Sequence, residues 1–515
     1  MAFTESRRNW QPRMSLRAWA GITSLLLLGG CESAEPVATS FVISGATIVD
    51  GTGTPGRMAS VRIVGDRITD VGALEPNIGE TVFDAQGLVL APGFIDTHSH
   101  HDRGLKAMPE ALAAVSQGIT TIIAGQDGGS PFPLTDFFAD LEASPTAVNV
   151  AAYVGHNTLR ATVMGEDYRR PATEDEIEEM AALLQQELAA GALGLSTGLE
   201  YDPGIYSATG EVLTLARVTA NTGGRYISHM RSEDRAFFDA LDELLTIARE
   251  TGMPVQIGHI KLAMRSLWGR ADEVIALLDE ARASGVDVTA DIYPYEFWQS
   301  TMTVLFPDRD FTPEAAEYAL EELAPPDGML IAAFEPDSSY VGLTLAEIAE
   351  LRGRSPAEVY LELIAEVQAI DGQESVIARS MITEDVASFL AWPHTNVSSD
   401  GGLAGRHPRG FGAFTRVLAR HVRERGDVTL EDAIRKMTSL SAGHVGIAER
   451  GRIEPGYFAD LVLFDPTTVL DMATPESPNE RSRGIEAVWV NGERVYSPSG
   501  PTGIRPGRVL RGRAQ

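Results

Sequence analysis

Apolar and polar residues alternate in short runs from Phe41 to about Leu90, as in Phe41-Val42-Ile43, Ala46-Thr47-Ile48-Val49, Val61-Arg62-Ile63-Val64 and Arg67-Ile68-Thr69-Asp70-Val71. Turn formers such as Asp50-Gly51 and Gly65-Asp66 separate them, so the spacing predicts a small all-β unit. From Phe94 to about His444 strand-like runs alternate with helical ones. Eight strands are predicted, near 90–97, 120–125, 147–155, 193–196, 226–228, 255–258, 286–292 and 395–398. The run Ile177, Met180, Ala181, Leu184, Leu188 has helical spacing, opens on the capping pair Thr173 and Glu176, and stops near Gly191. Eight such β/α units predict a closed (β/α)8 barrel, with an open doubly wound sheet as the alternative. Between the seventh and eighth strands the spacing opens. Helix starts at Thr312-Pro313-Glu314, Thr344-Leu345-Ala346-Glu347 and Ser355-Pro356-Ala357-Glu358 predict a helical insertion over about 304–376, beside the barrel mouth. After His444 the β pattern returns, with Asn491-Gly492 as a hairpin turn. The predicted fold class is α/β: a TIM-like barrel over 93–444 and a small β-sandwich domain built from both chain ends, 31–92 and 445–515.

Length supports this division, because 515 residues exceed one ordinary core. The formal net charge of −30 argues against nucleic acid or an anionic membrane surface as the main partner. The first residues change the picture. Arg7, Arg8, Arg13 and Arg17 form a basic region before an apolar stretch, 18–28, too short for a comfortable membrane span. It ends in Leu28-Gly29-Gly30-Cys31, which resembles a bacterial lipobox. Residues 1–30 are therefore expected to be a lipoprotein signal peptide and Cys31 the lipidation site. That lipid would be the only membrane attachment, holding the protein in the bacterial cell envelope, facing the periplasm or the exterior. A plain signal peptide and an N-terminal anchor are the alternatives. Cys31 is the only cysteine, so the mature body has neither a disulfide nor a cysteine metal ligand.

Residues two apart share one face of a strand, so His98 and His100 present two imidazoles together after the first strand. In barrels of this kind functional residues sit at the carboxyl ends of the strands. The other ends carry Asp127, His156, Ser196 with Thr197, His229, His259 with Lys261, Tyr293 and Asp400. Five of the ten histidines fall at these places. One alone would more often be structural. Five together with two aspartates point to a divalent metal site.

Several longer motifs contain these residues: Gly155-His156-Asn157-Thr158-Leu159-Arg160, Gly191-Ala192-Leu193-Gly194-Leu195-Ser196-Thr197-Gly198-Leu199, Ser228-His229-Met230-Arg231, Gly258-His259-Ile260-Lys261 and Ser399-Asp400-Gly401. Together they resemble the metal-dependent amidohydrolase superfamily and, more narrowly, its N-acyl-D-amino-acid deacylases, over essentially everything after residue 40. The resemblance implies hydrolysis of the amide of an N-acyl-D-amino acid to a carboxylate and a D-amino acid. It implies one or two divalent ions, zinc first, with His229 and His259 at a tight position and His98, His100 and Asp400 at a weaker one. The family's deacylases carry Asn-Cys-Gly after the second strand, with the cysteine as a ligand. This chain has Gln126-Asp127-Gly128. Asp127 is expected to take that role as a bridging carboxylate, and as a harder ligand to admit metals other than zinc. Glu200 is a further candidate carboxylate, and His101 and Asp102 continue the first motif. Strand four carries no lysine, so the carboxylated-lysine bridge of hydantoinase-like relatives is not expected. Asp400 is implied to act as general base and then general acid. Lys261, Tyr293 and Arg409 are implied to hold the substrate α-carboxylate, with Met381 and His156 as further substrate contacts. Two alternatives stand beside this reading. One is an amidohydrolase acting on dipeptides or cyclic amides. The other is a non-catalytic ligand-binding surface lipoprotein.

Overall fold

The structure, a computed structural model, describes residues 40–512, so the expected signal peptide and Cys31 lie outside the described residues. The two β-rich ends of the chain form one nine-stranded sheet. Ser40–Ile48 lies at its centre, paired antiparallel with Arg57–Val64 and parallel with Val89–Pro92. The C-terminal strand Leu461–Phe464 then pairs with Val89–Pro92, and Ile485–Val490 pairs with Leu461–Phe464. Strands three apart in a flat sheet lie roughly 14 Å from each other. The rings of Phe41 and Trp489 come from such strands, yet they stack 6.1 Å apart. The sheet therefore curls over its own apolar core, which includes Ile43, Val61, Leu461 and Trp489. This is the sandwich expected from both ends.

The barrel is closed and parallel. Its strands are Phe94–Asp96, Ile119–Ala124, Asn149–Ala152 continued by Val154–Gly155, Gly194–Gly198, Arg225–His229, Val255–Ile257, Val288–Ile292 and Thr395–Val397. Closure between the eighth and first strands uses backbone bonds at their upper ends. Asp400 N donates to His98 O at 2.8 Å, and His100 N donates to Gly401 O at 2.9 Å. Two predicted strands need correction. The run near 90–97 is divided at Gly93: Val89–Pro92 belongs to the sandwich and Phe94–Asp96 to the barrel. Gly93 has Thr120 against it, where an added Cβ would lie 2.3 Å from the side chain. The third strand is interrupted at Tyr153, whose N–H donates to Ala124 O.

The insertion also differs from the expectation of a helical subdomain over 304–376. Phe297–Ser300, Glu374–Arg379 and Met329–Phe334 form a three-stranded antiparallel sheet, with helices packed around it. The insertion is thus α/β and spans the sheet's 297–379. Its helix starts are where the sequence places them: Thr344 with Glu347 and Ser355 with Glu358 make full capping boxes, and Thr312 caps the helix that begins at Pro313. Each cap satisfies N–H groups that have no partner within the helix.

Candidate active site

Every strand-end histidine except His156 converges on one point. His98 Nε2 lies 3.2 Å from Asp127 Oδ1 and 3.6 Å from Asp400 Oδ1. His100 Nε2 lies 3.1 Å from both Asp127 Oδ2 and Asp400 Oδ1. His259 Nε2 is 3.3 Å from Asp127 Oδ1 and 2.9 Å from His229 Nδ1. Asp127 is thus shared by two ligand groups: His98, His100, Asp127 and Asp400 form one, and Asp127, His229 and His259 the other. Both nitrogens of His98, and Asp400 Oδ1, are buried without a hydrogen-bond partner. Buried polar atoms are normally satisfied. Imidazoles and carboxylates left this way suit a divalent cation held between them.

The backbone is forced to make this cluster. Asp127, His259 and Asp400 have φ of 53°, 34° and 48°, in the left-handed region that side chains other than glycine avoid. Gly128, after Asp127, has no room for a side chain, because an added Cβ would lie 2.3 Å from Asn157 Oδ1. Strain of this kind persists where the surrounding structure imposes it, and here it turns three side chains inward at strand ends.

Carboxylates behind the histidines orient them. His98 Nδ1 faces Asp291 at 3.6 Å, His229 Nε2 faces Glu200 at 2.9 Å, and His259 Nδ1 faces Glu233 at 2.9 Å. Such partners fix which nitrogen points inward. Glu200 therefore stands behind His229 and not in either Asp127-sharing group; with His229 and Glu233 it makes a third, outer group. His101 is turned away and bonds Ser99 Oγ. Burial opposes the ionised form of Asp127, but His98 and His259 hold its carboxyl well below the usual range. Asp400 is likewise kept ionised against burial, first by Arg409, whose Nη1 lies 2.6 Å from Oδ2. Burial and Lys261 disfavour the charged form of His259, yet Glu233 and Asp127 raise it to about 9.

The cluster opens into a cavity of about 1120 Å³. Lys261, Tyr293 and Arg409 meet on its wall: Lys261 Nζ is 5.7 Å and the Arg409 guanidinium 4.8 Å from the Tyr293 ring centre. Tyr293 Oη is buried with no partner. The insertion contributes Trp298, Val304, Leu305 and Phe311 to the outer wall, so it shapes the pocket. Two expected substrate contacts are not in that wall. Met381 is packed in the barrel core with its N–H on Glu296 O, because the sheet of the insertion carries it inward. His156 is fully buried beneath the cavity wall, with Nε2 on Glu211 Oε1 at 2.8 Å, in a network with Arg160.

Sequence reasoning missed Asp96, Asp291, Tyr201 and Glu233. Asp96 Oδ2 accepts from Ser399 Oγ at 2.5 Å, which ties the first strand to the eighth. Burial raises its carboxyl to about 7. Alternation could have found Asp96 and Asp291, since they stand two residues before His98 and Tyr293 on the same strand faces. The Tyr201 ring lies tilted against His229, 4.3 Å between centres. It and Glu233 lie in loops, where no periodicity marks them.

A closed parallel barrel with a shared histidine–carboxylate cluster in one cavity defines a hydrolase of the metal-binding barrel class. The family model described as "Amidohydrolase family" matches residues 81–327 and 306–496. The chain is 38% identical over 494 residues to a D-aminoacylase of Alcaligenes xylosoxydans xylosoxydans, covering 91% of this chain and 97% of that one. It is 38% identical over 494 residues to an N-acyl-D-glutamate deacylase of the same organism, covering 91% and 96%. The crystal structure of an N-acyl-D-glutamate deacylase from Bordetella bronchiseptica, complexed with zinc and a phosphonate mimic of the tetrahedral intermediate, superimposes with a TM-score of 0.83 at 37% identity, covering 93% of this chain and all of that one. The chain belongs to the amidohydrolase family and, within it, to the N-acyl-D-amino-acid deacylases.

Proposed function

We propose that this protein hydrolyses the amide bond of N-acyl-D-amino acids, using one or two divalent ions, zinc first, held by His98, His100, Asp127 and Asp400 and by Asp127, His229 and His259. The observation that carries this reading is the position of Lys261, Tyr293 and Arg409 on the same cavity wall as the histidine–aspartate cluster. A reacting amide at the cluster then has its α-carboxylate in reach of two cations and a phenol. The orphaned nitrogens of His98 and the orphaned Asp400 oxygen fit the donor set a divalent ion needs. Such an ion supplies Lewis-acid activation of water and of the scissile carbonyl.

The chain's own groups do the rest. Arg409 offers two parallel N–H donors to a carboxylate, while Lys261 offers a point charge. Asp400 takes a proton from the attacking water and returns it to the leaving amine nitrogen as the C–N bond breaks. Its Oδ1 faces both His98 and His100, so the base stands at the cluster itself. Trp298, Leu305 and Phe311 give the acyl group an apolar wall and limit water around the reacting carbonyl.

The test is activity of the zinc-loaded protein on N-acetyl-D-amino acids, N-acetyl-L-amino acids, dipeptides and cyclic amides. Release of D-amino acids alone is expected. Turnover restricted to dipeptides, cyclic amides or L-substrates refutes the substrate assignment and leaves the hydrolase class standing.

The N-terminal segment belongs to this proposal. Its basic residues, short apolar stretch and Leu28-Gly29-Gly30-Cys31 support a lipid anchor on Cys31 in the cell envelope. Labelled fatty acid should enter the wild-type protein and not Cys31→Ser; equal labelling of both removes the anchor.

A further inference from the structure

Glu233 stands in the loop that leaves the fifth barrel strand, four residues beyond His229. Its backbone is tied to the next loop, since Ala263 N donates to Glu233 O at 2.9 Å. Its side chain is nearly buried and lines the cavity beside the cluster. Oε1 lies 2.9 Å from His259 Nδ1 and 2.5 Å from Lys261 Nζ, and these two nitrogens are 2.6 Å apart. His259 turns its other nitrogen, Nε2, toward Asp127. A ring whose Nε2 lone pair is directed at a cation carries its proton on Nδ1, and an ammonium has only donors to offer. Nδ1–H and the Lys261 ammonium therefore cannot satisfy each other. One oxygen of Glu233 accepts from both.

We propose that Glu233 is a positioning residue that aligns His259 and Lys261 through one carboxylate oxygen, so that the metal-ligand side and the α-carboxylate side of the site share an anchor. The inference rests on the roles given to His259 and Lys261 above. Its specific content is coupling: a change at Glu233 must move cation retention and carboxylate recognition together. A neutral amide of the same size can keep one oxygen in the Oε1 place, but it accepts more weakly and removes the negative charge that faces the Lys261 ammonium. An aspartate keeps the charge but is one methylene short of reaching both nitrogens.

The experiment uses the full-length, zinc-loaded protein as wild type, Glu233→Gln and Glu233→Asp. Zinc retention is read by titration with a competing chelator. Recognition is read as kcat and KM on an N-acetyl-D-amino acid and on its α-carboxamide, which lacks the carboxylate. Glu233→Gln should lose roughly 10- to 100-fold in zinc affinity, the range for partners that orient a ligating histidine. It should also raise KM for the acid about tenfold while leaving KM for the carboxamide unchanged, so the acid-over-amide preference falls. Glu233→Asp should lie between the two in both readouts. A residue that only supports the fold would lower kcat or the folded fraction without shifting that preference. Zinc affinity and acid-over-amide preference both within twofold of wild type overturn the proposal, and so does movement of one without the other. If Glu233→Gln does not fold, Glu233→Asp decides by the same two readouts. A wild type that turns over no N-acyl-D-amino acid refutes the functional reading instead. Zinc retention, with calorimetric binding of the acid and the carboxamide, then decides on Glu233 alone.

Discussion

Asp127 is where this chain departs from the cysteine its relatives are expected to carry, and replacing it tests the whole cluster. Its carboxylate lies within 3.1 to 3.3 Å of three imidazole nitrogens, on His98, His100 and His259, and is only slightly exposed to the cavity. Ligating imidazoles are neutral, so the attraction that matters is between this carboxylate and a bound cation; at about 3 Å one unit charge against another is worth about 5 kcal/mol at an effective dielectric of 20. Part of this is offset by the cost of holding the charge away from water. Removing one member of a buried, charged set costs about 3 to 5 kcal/mol. At about 1.4 kcal/mol per tenfold, Asp127→Ala should weaken cation binding by roughly two to four orders of magnitude. Both ligand groups should suffer, because Asp127 is common to them. The assay is metal content by elemental analysis after dialysis at a series of buffered free-zinc concentrations, with circular dichroism as the control for folding. Asp127→Cys should recover tight binding at the His229–His259 side and shift preference toward zinc over harder cations, because a thiolate is the softer ligand. An Asp127→Ala protein that is folded and keeps wild-type zinc stoichiometry and affinity would refute the ligand assignment.

Three further predictions concern separate parts of the molecule. Asp400→Asn should keep zinc at the Asp127–His229–His259 group, which does not include it, and lose 10²- to 10⁴-fold in kcat, the range for a positioned general base; near-wild-type turnover removes Asp400 from proton transfer. Glu374 in the insertion accepts from Met302 N at 2.8 Å, its other oxygen is buried without a partner, and burial raises its carboxyl to about 7 from 4.5. The folded state thus holds this proton more tightly than the unfolded state, so stability is lost as pH rises between those values. Glu374→Gln should match wild type at pH 4.5 and be more stable by about 2 to 3 kcal/mol at pH 8; urea unfolding that gives the same difference at both pH values sinks the assignment. Leu510 packs against the cluster of Ile123, Ala151, Tyr153, Leu193, Ile227 and Val445, and its N–H donates to Val150 O. Leu510→Ala should lower stability by about 1 to 3 kcal/mol with KM unchanged, because the side chain is only partly buried and sits away from the cavity; unchanged stability would show that the tail does not seal this end of the barrel.

How far the sequence discloses such a protein depends on the range over which each signal acts. The expected barrel, the sandwich from both ends and the convergence of His98, His100, His229 and His259 follow from signals within a few residues. Strand alternation sets which side chains share a face, and strand order then brings the ends together. The insertion shows the limit. Its capping boxes are local chemistry, and Thr344–Glu347 and Ser355–Glu358 stand where the sequence puts them. Its sheet is not local: Phe297 pairs with Arg379, and Ser300 with Val376. Nothing within either segment names its partner, so the strong helix signals between them dominate the local pattern. That misplacement explains Met381, which follows the last strand of this sheet and goes into the core with it. His156 fails for another reason. Its place at a strand end is genuine, but Glu211 from a later helix takes its Nε2, and Arg160, one turn along the helix that His156 opens, fixes Glu211 in turn. A histidine at a strand end joins the cluster only if its ring reaches the shared carboxylate. His98, His100, His229 and His259 lie within 4.0 Å of Asp127, whereas His156 is held by Glu211 through Nε2. That reach is a property of packing across the whole barrel, which no window of sequence contains.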